Sequence, residues 1–190
     1  RPGALALATA QDRWVEKSRF NALGIPTPKF MAVDSRESLI TAVTELGAPC
    51  VLKTRRFGYD GKGQYRIKSH TDIDQAWEAL GAQAATVGLI LEAFVSFERE
   101  LSVIAVRSST GEFAAWPLTQ NWHVDGVLSA SVAPATVDSA LEALAIAHAK
   151  TLAEDLDYVG VFALELFDCG DQLLANEMAP RVHNSGHWTI

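Results

Sequence analysis

The order of helical and strand-like segments is the feature that most constrains the fold of this chain. The two kinds of segment alternate up to about residue 94. From there on, alternating and β-branched runs separated by Gly-containing turns predict an antiparallel sheet. One long helix, about 137–156, and two final strands complete the second half. We therefore predict an α+β fold of two lobes, 1–94 and 95–190.

Caps, chain breakers and apolar runs predict the individual elements. Thr9 with Asp12 resembles a capping box that opens a helix ending near Leu23, and Ser35 caps a second helix that ends near Gly47. A third helix is predicted at 71–80. The predicted strands are 29–33, 49–53, 64–67, 88–92, 98–106, 113–116, 127–133, 159–168 and 173–178.

Composition excludes several classes of protein. The net charge of -7 argues against a general nucleic-acid binder, which would present a basic surface. No run approaches the roughly 18 apolar residues that a membrane helix requires, so no membrane partner is expected. Cys50 and Cys169 lie far apart, without metal-like spacing, and predict no disulfide framework. A reduced, cytoplasmic setting is the expectation.

A local positive patch interrupts this acidic chain. Three glycines, Gly58, Gly61 and Gly63, allow backbone amides to approach an anion closely, and Lys53 at the end of a predicted strand can neutralise a phosphate. The segment is not the GxxxxGK[ST] loop, because no Ser or Thr follows Lys62. A phosphate site and a plain glycine-rich hairpin are the two interpretations. The basic residues of the patch are Lys53, Arg55, Arg56, Lys62, Arg66 and Lys68.

Two carboxylates lie on the final predicted hairpin. With a three-residue loop, Gly170–Gln172, Glu165 faces Glu177 directly, with their Cβ atoms roughly 5 Å apart. Such a pair repels unless a divalent cation binds it. With a two-residue loop, Asn176 faces Glu165 instead. A solvent-facing strand charge is the alternative to a metal site.

The last fifteen residues concentrate polar chemistry. Glu177 ends a strand-like run, and a turn shaped by Pro180 and Gly186 follows it. The pattern is typical of a metal-binding carboxylate followed by a loop that binds an anionic, hydrogen-bonding substrate, although a solvated tail is the simpler interpretation. Glu92 at a strand end and His123 in a predicted polar turn are weaker candidates for ligand binding. Glu92 is equally explained as a plain strand end, and His123 as a surface histidine.

Together these motifs resemble the ATP-grasp superfamily and, within it, the 5-(carboxyamino)imidazole ribonucleotide synthetases of purine biosynthesis. The resemblance spans the whole chain and implies the ATP-grasp fold, in which two α/β lobes enclose a nucleotide cleft. The matching segments are Gln11 to Arg13, Lys53 with Gly58 to Gln64, and Asn176 to Trp188.

The resemblance implies an ATP-dependent carbon–nitrogen ligase. ATP would phosphorylate bicarbonate, and the amine of aminoimidazole ribonucleotide would capture the resulting carbon dioxide equivalent. The expected products are the N-carboxylated ribonucleotide, ADP and phosphate, and the expected cofactors are ATP and Mg²⁺.

The resemblance also assigns roles to residues. Glu165 and Glu177 would carry magnesium. The catalytic and substrate-binding residues would be Tyr59, Asp60, Arg181, His183, Asn184 and Ser185. The ATP-binding residues would be Arg13, Lys53, Gly58, Tyr59, Asp60, Gly61, Lys62, Gly63, Gln64, Glu92, Ala93, Phe94, Val95, Glu100, His123, Asn176 and Glu177.

Members of this family carry a further domain on each side of the matching region. The resemblance therefore implies that this chain is the ATP-grasp portion of a longer, homodimeric enzyme and is poorly active alone. Two alternatives stay open. Another ATP-grasp ligase, such as a formate-using transformylase or a biotin carboxylase, is disfavoured by the tail 183–187. A catalytically silent nucleotide-binding module is disfavoured by the presence of Lys53, Glu165 and Glu177.

Overall fold

A computed structural model describes residues 2–58, 62–124 and 126–189. The chain forms two compact units. The four-stranded unit comprises Gln11–Trp14 and Pro28–Val95, and the six-stranded unit comprises the residues up to Ala10, Val15–Thr27 and those from Ser96 on. Unlike the expected lobe 1–94, this division groups most of the N-terminal segment with the second half, because Phe20 and Ile25 belong to that unit's core.

Two helices replace the single helix predicted from Thr9 to Leu23. Helix α1 spans Ala4–Ala10 and helix α2 spans Arg13–Ala22. Thr9 lies inside α1, so the predicted cap at this residue is wrong. Asp12 caps α2 instead, since its Oδ1 accepts the Trp14 N–H at 3.0 Å.

The four-stranded unit is an antiparallel sheet with two helices. Its strands are β1 (Phe30–Val33), β2 (Cys50–Thr54), β3 (Gln64–Ile67) and β4 (Leu89–Ala93), in the order β1-β4-β2-β3. Helices α3 (Arg36–Leu46) and α4 (Ile73–Leu80) pack with this sheet around one hydrophobic core. Short 3-10 helices cover His70–Asp72 and Gly81–Gln83.

Helix α3 begins and ends where its sequence predicts. The Ser35 hydroxyl accepts the Ser38 N–H at 3.1 Å, and the Ser38 hydroxyl accepts the Ser35 N–H at 2.9 Å, which completes a capping box. Gly47, with φ of 82°, ends the helix in a backbone conformation that glycine adopts readily.

The six-stranded unit is antiparallel throughout. Its strands are β5 (Arg99–Arg107), β6 (Phe113–Ala115), β7 (Thr119–Val124), β8 (Val127–Val132), β9 (Gly160–Asp168) and β10 (Leu173–Ala179). The sheet order is β10-β9-β5-β7-β8, with β6 paired to β5. Helix α5 (Ser139–Asp155) is capped by Asp138, whose Oδ1 accepts the Leu141 N–H at 2.8 Å.

The prediction of a polar turn around His123 is wrong, because this segment forms strand β7. It forms because Thr119 and Asn121 pair with Ser102 and Glu100 of β5 and are buried there. His123 is therefore held on a strand rather than in a loop.

The two faces of this larger sheet differ in polarity. Leu101 and Val103 of β5 belong to the same core as Ala149 and Leu152 of α5. Because side chains alternate along a strand, Glu100 and Ser102 point to the opposite face. One face of the sheet therefore packs into this core, and the opposite face, called the polar face below, carries Glu100 and Ser102.

Within the described ranges no helix is long and apolar enough to cross a membrane. Cys50 and Cys169 are both free thiols, as predicted, and burial raises the pKa of Cys50 to about 11.

Candidate functional site

Lys53 and Glu92 form an ion pair on adjacent strands of the four-stranded unit. Lys53 Nζ donates to Glu92 Oε2 at 2.8 Å, and the Glu92 side chain is only 3 % exposed. The backbone of Lys53 also pairs with Gln64, the first residue of β3, so Lys53 lies where the glycine-rich segment leaves the sheet. Glu92 is thus a buried partner of the predicted phosphate-binding lysine rather than a plain strand end.

Asp12 anchors the start of the glycine-rich segment. Its carboxylate accepts two hydrogen bonds from Arg55, at 2.9 and 2.8 Å, and one from Arg56 at 3.1 Å. The Arg13 N–H donates to the Arg55 carbonyl at 3.0 Å. A buried carboxylate therefore offsets part of the positive patch. Sequence reasoning missed this contact, although Asp12 belongs to one of the matching segments.

The segment also needs glycine where it rejoins the sheet. Gly63 has φ of +70°, and a Cβ there would lie 2.7 Å from Thr54 Oγ1. The neighbouring candidates Gly58, Lys62 and Gln64 are described, whereas Tyr59, Asp60 and Gly61 lie outside the described residues. Beyond Glu92, Ala93 ends β4, and Phe94 lies under the Arg66 guanidinium, 4.0 Å from its ring centroid.

The polar face of the six-stranded sheet carries a row of polar side chains across four strands. Glu177 of β10 pairs with Glu165 of β9, which pairs with Ser102 of β5, which in turn pairs with Thr119 of β7. Directly paired residues point to the same face of a sheet. The structure therefore brings the two predicted metal carboxylates together.

A β-bulge produces the pairing of Glu165 with Glu177. Next to the turn, Leu173 pairs with Asp168 and Ala175 pairs with Leu166. Of the two registers considered above, this is the one of the two-residue loop, which by itself would place Asn176 opposite Glu165. The register then shifts by one residue between Ala175 and Glu177, so Asn176 is the extra residue of the bulge.

Glu165 also contacts the bulge residue Asn176 and His183, which follows the hairpin. His183 Nε2 lies 3.1 Å from Glu165 Oε1, and Asn176 Nδ2 donates to Glu165 Oε2 at 3.4 Å. The other ring nitrogen of His183 is 2.8 Å from Ser185 Oγ, and Ser185 is fully buried. His183 is thereby fixed through both nitrogens.

Two further predicted site residues, Asn184 and Arg181, form no hydrogen bond with Glu165 among the described contacts. Asn184 accepts the Ser185 N–H at 3.2 Å and so stabilises the short 3-10 helix Asn184–Thr189. Arg181 is exposed, and its guanidinium donates to the Val182 carbonyl at 2.8 Å. The structure does not bring Arg181 to Glu165 or to His183.

Glu100 and His123 form a second acid–imidazole pair on the polar face. His123 Nδ1 lies 2.5 Å from Glu100 Oε2. This hydrogen bond raises the pKa of His123, whereas burial opposes the shift. The charges of Glu100, Glu165 and Glu177 raise the same pKa further, so His123 lies within the field of the carboxylate pair.

Two hydrogen bonds that sequence reasoning missed hold Ser102 and Thr119, the β5 and β7 members of this row of polar side chains. Asn121 donates to Ser102 Oγ at 2.6 Å, and Trp188 Nε1 donates to Thr119 Oγ1 at 3.0 Å. Trp188 therefore attaches the C-terminal 3-10 helix to the polar face. The available signal was that Thr119, Asn121 and His123, at every second position of β7, are all polar.

The donor chemistry of the pair fits magnesium bound together with a phosphate. Among the residues that the structure describes, no three or more His, Cys, Asp or Glu side chains are grouped to hold a metal. Mg²⁺ prefers oxygen ligands and commonly takes only one or two carboxylates, with phosphates and water completing its shell. Glu165 and Glu177 supply two such carboxylates.

Comparison with known proteins decides the family. Residues 18–190 match the ATP-grasp domain model. The chain belongs to the ATP-grasp family. The predicted ATP-grasp fold is thereby confirmed, and crystal structures of ATP-grasp relatives support it.

Relatives with about half of their aligned residues identical share one activity in their names. The chain is 49% identical over 189 residues to N5-carboxyaminoimidazole ribonucleotide synthase of Pseudomonas aeruginosa, covering 100% of this chain and 51% of that protein. The crystal structure of N5-carboxyaminoimidazole ribonucleotide synthetase from Thermus thermophilus superposes with a TM-score of 0.91 at 50% identity, covering 99% of this chain and 50% of that one.

A third relative was crystallised with ligands. It is N5-carboxyaminoimidazole synthase from Aspergillus clavatus in complex with ADP and 5-aminoimidazole ribonucleotide, with a TM-score of 0.87 and 29% identity over 98% of this chain and 48% of that one. The chain thus spans about half the length of the relatives it matches.

Proposed function

We propose that this chain is the ATP-grasp portion of an enzyme that carboxylates 5-aminoimidazole ribonucleotide in purine biosynthesis. The reaction would use ATP and bicarbonate and yield N5-carboxyaminoimidazole ribonucleotide, ADP and phosphate. The pairing of Glu165 with Glu177, with His183 3.1 Å from Glu165, carries this proposal. The similarity of the chain to the synthases of Pseudomonas aeruginosa and Thermus thermophilus supports the choice of substrate.

In the four-stranded unit, Lys53 and the glycine-rich segment would bind the phosphates of ATP. Lys53 offers an ammonium held by Glu92, and Gly58 and Gly63 have no side chains that would shield their backbone amides from a phosphate. Arg13, Lys62 and Gln64 would add polar contacts, with Tyr59, Asp60 and Gly61 completing the segment. Glu92 to Val95, at the end of β4, would contact the nucleoside.

In the six-stranded unit, Glu100, His123, Asn176 and Glu177 would contact ATP. The polar face positions all four on strands, which limits their freedom. Magnesium held by Glu165 and Glu177 would neutralise the phosphate oxygens of the nucleotide. Phosphoryl transfer depends on positioning and charge neutralisation, so the reaction requires no Ser or Cys nucleophile.

The tail would form the side that receives bicarbonate and the ribonucleotide. His183 is oriented by Glu165 and Ser185, and can therefore present its imidazole in one fixed direction. Arg181, exposed and two residues before it in the sequence, is available to an anionic substrate. Asn184, Ser185, Tyr59 and Asp60 complete the proposed substrate side.

The longer enzyme is proposed to be a homodimer, and the isolated chain is proposed to turn over poorly. Another ATP-grasp ligase and a silent nucleotide-binding module remain the competing functions. The relatives named above favour the carboxylating ligase over both.

Phosphate release by the longer enzyme tests the proposal. We expect release from ATP to require bicarbonate and to accelerate with 5-aminoimidazole ribonucleotide. Arg181→Ala and His183→Ala should weaken the response to the ribonucleotide while leaving nucleotide affinity unchanged. Replacement of bicarbonate by formate without loss of rate, or loss of ATP binding in these two variants, would point to a different ATP-grasp ligase.

A further inference from the structure

Two consecutive residues of α2 carry charges yet lie inside the six-stranded unit. Glu16 is 2 % exposed and Lys17 is 0 % exposed. Burying a charged side chain is unfavourable unless its polar atoms find partners. Both side chains therefore have to be explained by what they contact.

Both residues bind the backbone of β10. Lys17 Nζ donates to the Asn176 carbonyl at 2.8 Å, and Glu16 Oε1 accepts the Met178 N–H at 2.8 Å. The two contacts thus flank Glu177 on either side along the strand.

The two contacted backbone groups lie at the β-bulge and two residues after it. An extra residue in a strand disrupts the ladder locally and leaves backbone groups that need other partners. Asn176 is that extra residue, and Met178 is the second residue after it. Glu16 and Lys17 supply a charged acceptor and a charged donor at these positions, and such hydrogen bonds are stronger than neutral ones.

The bulge decides which way Glu177 points. Without it, the register next to the turn would continue, so Asn176 would face Glu165 and Glu177 would face Leu164. Leu164 is fully buried in the apolar core. The bulge instead places Met178 opposite Leu164 and Glu177 opposite Glu165.

We propose that Glu16 and Lys17 are positioning residues that fix the bulge at Asn176 and thereby hold Glu177 opposite Glu165. The proposal rests on the proposed function, because that function gives the carboxylate pair its role in binding magnesium with the nucleotide. Neither residue needs to touch ATP.

Four variants of this chain test the proposal. Glu16→Leu removes the acceptor and Lys17→Met removes the donor, whereas Glu16→Gln keeps an acceptor oxygen at the same position. Leu152→Ala is the matched control, because it creates a cavity in the same core from a residue of α5 and leaves the contacts of Glu16 and Lys17 with β10 in place. If Glu16→Leu fails to fold, Lys17→Met carries the test.

Two measurements are made on each variant. Nuclear Overhauser effects between β9 and β10 report the register without any ligand, and calorimetric titration with a non-hydrolysable ATP analogue reports how much magnesium tightens binding. We expect Glu16→Leu and Lys17→Met to lose the Glu165–Glu177 register and to reduce the magnesium enhancement by on the order of tenfold. Glu16→Gln and Leu152→Ala should keep both.

Three outcomes would overturn the proposal. The first is a native register in both Glu16→Leu and Lys17→Met. The second is a full magnesium enhancement despite a shifted register, and the third is an equal loss of enhancement in Leu152→Ala. If the parent chain itself shows no magnesium enhancement, the metal assignment in the proposed function is wrong, and the register measurement still decides whether these residues hold the bulge.

Discussion

Glu165 lies directly opposite Glu177 on the neighbouring strand, and its Oε1 is 3.1 Å from His183 Nε2. The Glu165 carboxylate is therefore adjacent both to its proposed partner in metal binding and to a proposed substrate residue. A change at Glu165 should affect metal binding and the substrate residue His183 together, whereas a change at Glu177 should affect the binding of metal and nucleotide but not His183.

Substitution of Glu177 by Gln tests the metal assignment. Gln keeps the shape of the side chain but removes one of two facing negative charges. We expect the magnesium enhancement of nucleotide binding to disappear, while the metal-free chain gains up to about 1 kcal/mol of stability because a like-charge pair is relieved. Calorimetric titration and urea unfolding measure the two effects. Undiminished affinity of the variant for the magnesium complex would show that the pair does not bind the metal.

Removal of Lys53 should affect both stability and binding. Lys53→Met takes away the cation 2.8 Å from the buried Glu92 carboxylate. We expect this change to lower the free energy of unfolding by about 3 kcal/mol. The double variant Lys53→Met with Glu92→Gln should recover most of this loss but none of the nucleotide affinity. A double variant that binds nucleotide as tightly as the parent would contradict the phosphate role of Lys53.

The carboxylate of Asp12 should protect the start of the glycine-rich segment. Asp12→Asn keeps a good cap for α2 but weakens the contacts to Arg55 and Arg56, so trypsin should cleave after these residues faster. Asp74→Asn, which breaks the exposed pair with Arg36, is the control and should leave the rate unchanged. An ATP analogue should slow cleavage of the parent, and equal rates with and without it would count against a phosphate site.

The pair Glu100–His123 predicts a pH dependence of stability. The pKa of His123 is raised above its ordinary value of 6.5 in the folded chain, chiefly by Glu100, so folding favours the protonated imidazole. The stabilisation is fully present below about pH 6.5 and is lost as the pH rises through the raised pKa. The stability difference between the parent and Glu100→Gln should therefore be larger at about pH 6 than at about pH 9. Urea unfolding at several pH values measures this stability difference. A stability difference that grows as the pH rises would refute the stabilising role of the Glu100–His123 pair.

Local signals predicted much of the fold. Strand β3 begins and ends at the predicted residues Gln64 and Ile67, and Ser35 caps α3 as expected. Both rest on side-chain alternation or on hydrogen bonds within a few residues, which a sequence displays directly.

Long-range contacts set the features that the sequence did not reveal. Strand β7 depends on pairing with β5, and the cap of α2 falls on Asp12, a residue that also binds Arg55. The bulge at Asn176 could not be predicted from hairpin length, because its backbone partners come from Glu16 and Lys17, about 160 residues earlier in the chain. Residue types identified the site candidates, whereas tertiary contacts determine how those residues are aligned.

Calorimetric titration of this chain with a non-hydrolysable ATP analogue, with and without magnesium, tests the central claim most directly. We predict that the analogue binds in both cases and that magnesium tightens binding by roughly tenfold or more, because Glu165 and Glu177 hold the cation that neutralises the phosphates. No detectable binding, or the same affinity with and without magnesium, would contradict the account.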